Sequence, residues 1–187
     1  MNLACLPLPL QSERLELRAF RATDFAAYAA YHAQPEVYRF LYMPAPTGQA
    51  LQDQFAAVLA APFAQDGDTL RLAVTRRADD ALVGEVLLKI ASRAALQAEV
   101  GYIFHPDFAG QGYATEAVAA MLGLGFDALG CHRIFARLDA LNAGSVGVVE
   151  RLGLRREAHL IQNDRFNGVW GDEYIYAMLG SEWSVAR

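Results

Sequence analysis

His105-Pro106-Asp107-Phe108-Ala109-Gly110-Gln111-Gly112-Tyr113-Ala114-Thr115-Glu116-Ala117 is the stretch that decides the fold. Segment 100–104 before it is apolar enough for a strand, and the residues after Gly112 have the apolar spacing of an amphipathic helix. A strand that enters a helix through such a turn leaves unpaired N–H groups at the helix N-terminus, where the helix dipole also favours an anion. Gly110 and Gly112 permit a positive φ and a close approach of a ligand. The turn therefore predicts a binding site for a diphosphate.

Other motifs that bind phosphate or carry a nucleophile do not fit. A dinucleotide-binding turn requires a third glycine three residues after Gly112, where this chain has Thr115. A P-loop, the phosphate-binding loop of many nucleoside triphosphatases, ends in Gly-Lys-Ser/Thr, but the chain's only lysine is Lys89. The nucleophile elbow of a serine hydrolase requires glycine at the position of Ala143. A turn without any ligand is the remaining structural alternative.

A second motif consists of Asn142-Ala143-Gly144-Ser145 followed by Val149-Glu150-Arg151-Leu152-Gly153-Leu154. Together, the two motifs resemble those of the GCN5-related N-acetyltransferases (GNAT). The diphosphate loop of that family follows the pattern Gln/Arg-x-x-Gly-x-Gly/Ala, which Gly112 and Ala114 match and Ala109 does not. The amino-acid sequence of segment 110–117 resembles the corresponding sequence in the subgroup that acetylates the N-termini of ribosomal proteins. Without a long side chain at Ala109, the backbone amides are left to hold the phosphates.

The resemblance implies that acetyl-CoA is the co-substrate. It assigns cofactor binding to Ile103, Phe104, Gly110, Gln111, Gly112, Tyr113, Ala114, Thr115, Asn142 and Ser145. Asn142 is expected to bind the amide arm of the coenzyme, and Ser145 to donate to the departing thiolate. The resemblance further implies that segment 101–104 separates from its neighbouring strand at a bulge. A backbone N–H near Ile103 or Phe104 would then bind the oxyanion of the thioester.

Glu99 is the candidate general base, because it stands on the strand beside the cofactor, where many relatives place a carboxylate. A structural role is open for each of these polar residues. Asn142 is a good N-cap and Ser145 a common capping partner, and Glu99 is equally suited to a solvated strand. Glu116, in the first turn of the helix, is expected to interact with the helix dipole. The histidines at 32, 132 and 159 lack ligand spacing, so no metal site is predicted.

The predicted elements follow the order strand, two helices, three strands, helix, strand, helix and two strands. This order matches the GNAT family over residues 1–187, as one domain. The fold class is α/β (mixed α+β), with a central, mostly antiparallel sheet of seven strands flanked by helices on both faces. Thr23 is expected to cap the first helix. The helix after the diphosphate loop is predicted to continue as far as Leu129.

Composition limits the partners and the location of the protein. At 187 residues and 54 % apolar, the chain is long enough for one domain with a substantial core. It has no apolar run of about 18 residues, so no membrane span is expected. The net charge of −5 argues against a nucleic-acid partner and permits a cationic acceptor. Segment 1–10 lacks a basic region, and Cys5 and Cys131 lack metal or redox spacing, which indicates a cytoplasmic protein.

These observations predict an N-acetyltransferase that transfers an acetyl group to a primary amine. A peptide N-terminus or another small amine is the expected acceptor, and acetylation of a polyamine, an aminoglycoside or an amino acid is the alternative. Two further hypotheses stay open: an acyl-CoA sensor without catalysis, in keeping with Ala109, and an oligomerisation module. Pairing of subunits is common in the family, so a homodimer is compatible with the sequence.

Overall fold

A mixed sheet of eight strands forms the centre of the protein. The computed structural model describes residues 6–185. The strands are β1 (Leu10–Gln11), β2 (Leu15–Arg18), β3 (Thr69–Arg76), β4 (Ala81–Ser92), β5 (Gln97–Phe104), β6 (Arg133–Asp139), β7 (Arg155–Phe166) and β8 (Val169–Leu179). Their order in the sheet is β1-β2-β3-β4-β5-β6-β8-β7. Only β5 and β6 run parallel to each other, and every other neighbouring pair is antiparallel.

Helices cover both faces of this sheet. They are α1 (Phe25–His32), α2 (Gly48–Ala60), α3 (Tyr113–Gly123), α4 (Ala143–Arg151) and α5 (Gly180–Val185). The connection from β5 to β6 passes through α3, as a parallel pair of strands requires. The predicted mixed fold, with a mostly antiparallel sheet between helices, is confirmed. The predicted number of seven strands is wrong, because the two-residue strand β1 adds an eighth at the edge beside β2.

The main core lies between α3, α4 and one face of the sheet. On α3, Ala117, Val118 and Met121 have no exposed surface, and they belong to the same buried cluster as Leu88 and Val100 of the sheet. Full burial of a valine, leucine or methionine side chain stabilises the fold by about 1.5–3 kcal/mol. A second cluster under α1 and α2, on the opposite face, includes Tyr28, Phe55 and, at its edge, Ile103. Successive residues of β5 therefore face different helical layers, because side chains alternate along a strand.

A gap opens in the sheet between β5 and β6. The two strands pair only from Gln97↔Arg133 to Glu99↔Phe135. Beyond Glu99, β5 stays paired with β4 as far as Phe104, and β6 stays paired with β8 as far as Asp139. The β4–β5 register has no shift between Ala98 and Phe104. The two strands therefore diverge after Glu99 while each keeps its other neighbour, and the bulge expected in β5 at this point is not found.

Two local predictions about helix ends differ from the structure. Thr23 does not cap α1: it lies inside a short 3-10 turn (Ala22–Asp24) that precedes the helix. The carboxylate of Asp24 accepts hydrogen bonds from the Arg21 N–H and from the Arg18 guanidinium. After α3, the chain continues as a π-helical turn (Leu124–Ala128) instead of a regular α-helix.

Of the residues used to predict the cellular location, only some lie in the described part of the chain. Cys131 is a buried free thiol, and burial raises its pKa to about 11. Cys5 and the rest of segment 1–5, the first half of the apolar N-terminal segment, lie outside the described residues. Within residues 6–185, none of the helices has both the length and the apolar character needed to cross a membrane.

Candidate active site

The turn between β5 and α3 presents a row of free backbone N–H groups. Gly110 and Gly112 have φ values of +74° and +80°, in the left-handed region that favours glycine. Gly112 is the N-cap of α3. Within residues 6–185, no protein acceptor bonds the N–H groups from Gly110 to Thr115, whereas that of Ala109 is bonded to the Pro106 carbonyl. We call this the amide row (Gly110–Thr115), and its geometry suits an anion.

An ionic network fixes the amide row to the edge of the sheet. The Glu116 carboxylate accepts hydrogen bonds from the Ser12 hydroxyl at 2.7 Å and from the Arg14 N–H at 2.8 Å. The Arg14 guanidinium donates to Glu116 and, at 2.9 Å, to the carbonyl of Gln111. Burial opposes ionisation of Glu116, but the hydrogen bonds from Arg14 and Ser12 hold its pKa below the ordinary value. Glu116 thus anchors the start of α3.

A cavity of about 690 Å³ lies beside the amide row and the gap between β5 and β6. A volume of this size is typical of small-molecule and cofactor sites. Of the predicted site residues, nine line it: Ile103, Phe104, Gly110, Gly112, Tyr113, Ala114, Thr115, Asn142 and Ser145. The structure does not place Gln111 or Glu99 among the lining residues, although the N–H of Gln111 belongs to the amide row.

Asn142 and Ser145 begin α4 on the far side of the gap. The side-chain oxygen of Asn142 accepts the N–H of Ser145 at 3.1 Å, so the capping interaction expected as the structural alternative is present. Tyr102 reaches from β5 and donates its hydroxyl hydrogen to the carbonyl of Ser145 at 2.9 Å. Burial raises the pKa of Tyr102 to about 12, although the bond to Ser145 opposes that shift. Within the described residues, no hydrogen bond occupies the Ser145 hydroxyl, which lies at the cavity wall.

Glu99 lies where the gap begins, since it belongs to the last pair that joins β5 to β6. Its side chain points to the same face of the sheet as that of Ile103, because both are odd-numbered residues of one strand. The pKa of Arg137 on β6 is raised, chiefly by its hydrogen bond to Glu173 and in smaller part by the charge of Glu99. That arginine is already paired with Glu173 through two bonds of 2.8 Å. The carboxylate of Glu173 is therefore already engaged in an ion pair with the protein.

The segment between α1 and α2 forms the remaining wall of the cavity. It contributes Glu36, Val37, Phe40 and Leu41. Just beyond them, the Tyr42 hydroxyl donates to the carboxylate of Asp139, at the end of β6, at 2.5 Å. This bond joins the wall to the turn that precedes Asn142, whose N–H donates to the Asp139 carbonyl.

Some cavity residues were not singled out from the sequence. Arg151 closes α4 and lines the cavity, but the sequence marked it only as part of a motif. Glu36 and Phe40 belong to a segment without any diagnostic pattern. No group of three or more His, Cys, Asp or Glu side chains in the described part of the chain is arranged to hold a metal ion.

Comparisons with known proteins bear on the family to which the chain belongs. The family model described as the acetyltransferase (GNAT) domain matches residues 14–155. An uncharacterized N-acetyltransferase of Bacillus subtilis, YnaD, is 28 % identical over 94 % of this chain and 99 % of its own length. The crystal structure of a GNAT-family acetyltransferase from Bacillus anthracis superimposes with a TM-score of 0.84 and 28 % identity, over 92 % of this chain and 99 % of that one.

A third comparison concerns a structure with bound ligands. Spermidine N-acetyltransferase from Vibrio cholerae, in complex with CoA and spermine, has a TM-score of 0.79. The alignment covers 92 % of this chain and 99 % of that one, at 20 % identity. At this identity the likeness concerns the fold alone.

Proposed function

The chain belongs to the GNAT acetyltransferase family, and on this premise we propose that it acetylates a peptide or protein N-terminus, or a small primary amine, with acetyl-CoA as the donor. The observation that carries the proposal is the amide row. Its donors at the start of α3 have no protein acceptor within residues 6–185, and they border a cavity that reaches the gap between β5 and β6. A diphosphate bound there leaves the thioester end of the coenzyme free to extend towards the gap.

The coenzyme is bound mainly by backbone groups. The amide row donates to the diphosphate, and Gly112 allows the phosphates to approach because it has no side chain. Asn142 binds the amide arm through its side-chain NH2, while its oxygen remains the cap of α4. One residue thus serves both the helix and the ligand.

The thioester carbonyl is polarised by a backbone N–H of β5. His105 donates its N–H to the Val83 carbonyl on β4, and the direction of N–H groups alternates along an antiparallel strand. The N–H of Ile103 is therefore directed towards β4 and that of Phe104 towards the gap. Of the two candidates, Phe104 is the oxyanion donor that this alternation favours.

The transfer itself is a direct attack in a ternary complex. The neutral amine adds to the carbonyl carbon, the C–N bond forms, the C–S bond breaks and the thiolate leaves. A thiol has a pKa near 8.5, so the donor hydroxyl of Ser145 gives this departure only moderate help. The proton lost by the amine passes to Glu99, directly or through water. An α-amino group, with a pKa of about 7.7–8.0, needs less help from a base than an alkyl amine near 10.4.

A thiol-release assay over N-terminal peptides, polyamines and aminoglycosides tests the proposal. Faster thiol release with peptides than with the other amines supports the N-terminal acceptor. Thiol release with polyamines or aminoglycosides alone supports the small-molecule alternative. Binding of CoA without release from any amine supports the sensor hypothesis. A chain that binds no CoA species contradicts the proposal altogether. A homodimer and a cytoplasmic location stay predictions.

A further inference from the structure

The cavity wall carries two charged side chains, Glu36 and Arg151. Arg151 is the last residue of α4, and it lines the same cavity as the start of α3. Within the described residues it forms no ion pair with any carboxylate. The other arginine near the amide row, Arg14, is already paired with Glu116 at 2.7 Å. Arg151 is thus the cationic side chain of the wall that is available to a ligand.

The guanidinium of Arg151 is held beside the amide row. Its Nε donates to the hydroxyl of Thr115 at 3.4 Å. One turn earlier on α4 stands Gly147, where a Cβ would lie 3.1 Å from an Nη atom of Arg151. The absence of a side chain at Gly147 therefore allows the planar group to lie along the helix. Because Arg151 is exposed, its Nη groups remain accessible to solvent.

The amide row alone provides little charge for a polyanion. A helix N-terminus acts as only about half an elementary charge, and the loop has Ala109 where a basic side chain would supply more. Resting on the proposed function, we propose that Arg151 binds phosphate oxygens of acetyl-CoA and replaces from α4 the basic side chain that is absent at Ala109. An arginine suits this role because its planar fork donates two parallel hydrogen bonds to a phosphate.

Calorimetric titration with CoA tests the proposal without turnover and without knowledge of the acceptor. In Arg151→Ala, the Kd for CoA should rise about 10- to 100-fold, the range expected for hydrogen bonds to a charged group. Arg151→Lys should recover only part of this loss, because an ammonium cannot donate as a planar fork. The matched control is Arg156→Ala, which removes an arginine that stacks on Tyr174 outside the cavity wall. Its Kd should stay within about twofold of the native value.

Truncated ligands separate phosphate binding from a structural effect. Acetyl-pantetheine lacks the phosphates, so Arg151→Ala should leave its affinity unchanged. Dephospho-CoA lacks only the 3′-phosphate. If Arg151→Ala also binds dephospho-CoA more weakly than the native protein does, Arg151 binds the diphosphate. If the two proteins bind dephospho-CoA equally, Arg151 binds the 3′-phosphate. The double variant Ala109→Arg/Arg151→Ala should regain affinity for CoA, because it returns a cation to the cavity at Ala109, which is exposed and lines it.

Two results overturn the assignment of Arg151. One is native affinity for CoA in Arg151→Ala, and the other is an equal loss of affinity for CoA and acetyl-pantetheine. Both differ from a failure of the proposed function, in which the native protein itself would bind no CoA.

Discussion

A buried carboxylate ties α1 to the sheet, and replacing its cationic partner should destabilise the protein strongly. The Glu85 side chain on β4 has no exposed surface. It accepts hydrogen bonds from Arg71 on β3 and, at 3.1 Å, from the Tyr31 hydroxyl on α1, and His32 Nε2 lies 3.2 Å away. Burial opposes ionisation, but His32 and Arg71 hold the pKa of Glu85 below its ordinary value. The segment that follows α1 lines the cavity, so this cluster also positions that wall of the cavity.

Arg71→Met should cost about 3–5 kcal/mol of the free energy of unfolding at pH 8, because it leaves a buried carboxylate without its cation. For a chain of this size, that corresponds to a melting temperature about 6–20 °C lower. In the native protein, the lowered pKa of Glu85 provides stability that is present above about pH 4.3 and lost as the pH falls through the lower folded value. In the variant, the pKa of Glu85 should instead be raised. The folded variant then binds more protons than the unfolded chain, and it loses stability as the pH rises.

Urea unfolding at pH 5 and pH 8, followed by circular dichroism, measures both effects. The penalty should be smaller at pH 5, and adding Glu85→Gln to Arg71→Met should restore stability at pH 8 by removing the charge. The matched control is Arg155→Met, which breaks exposed pairs with Glu157 and Glu182 and should change stability little, because solvent screens such pairs. If Arg71→Met cost as little as this control and showed no dependence on pH, the reasoning about the buried charge would be refuted.

Three further predictions concern the site. Gly112→Val should weaken binding of CoA about 100-fold or more in a folded protein, because a β-branched residue is strained at a φ of +80°. The control is Gly130→Val, which is strained at a φ of +69° outside the cavity wall. An unchanged calorimetric affinity of Gly112→Val for CoA would show that the amide row does not bind the coenzyme. Ser145→Ala should lower kcat about 10- to 100-fold with little change in the KM for acetyl-CoA; an unaltered thiol-release rate would leave Ser145 only a structural role. Glu99→Gln should lower the rate about 100-fold at pH 7 and regain part of it at high pH, where more of the amine is neutral; full activity with a flat pH profile would argue against Glu99 as the base.

The parts of the structure that the sequence predicted depend on a few consecutive residues. The turn into α3 was predictable because glycine is the residue that most readily adopts the positive φ found at Gly110 and Gly112. The cap of α4 was predictable because Asn142 needs only the N–H of Ser145, three residues later. Such contacts repeat in many proteins with the same local pattern, so the pattern is informative.

The parts that the sequence did not predict depend on residues far apart in the chain. His32 and Glu85 meet across 53 positions, and nothing near either residue indicates the other. Thr23 was a reasonable cap by local rules, but the ion pair between Asp24 and Arg18 favours a different turn. The role of Arg151 at the cavity wall likewise depends on how α4 packs beside α3, which no local pattern encodes.

Unused backbone donors line the proposed site. The free N–H groups of the amide row and the N–H of Phe104, which the alternation along β5 directs away from β4, belong to two segments that line one cavity. Folding leaves these donors to water, so a bound anion exchanges that water for charge-assisted hydrogen bonds without breaking any bond of the protein. A single loss of pairing, where β6 leaves β5 after Glu99, thus provides the opening for the thioester and the donor that would bind its oxyanion.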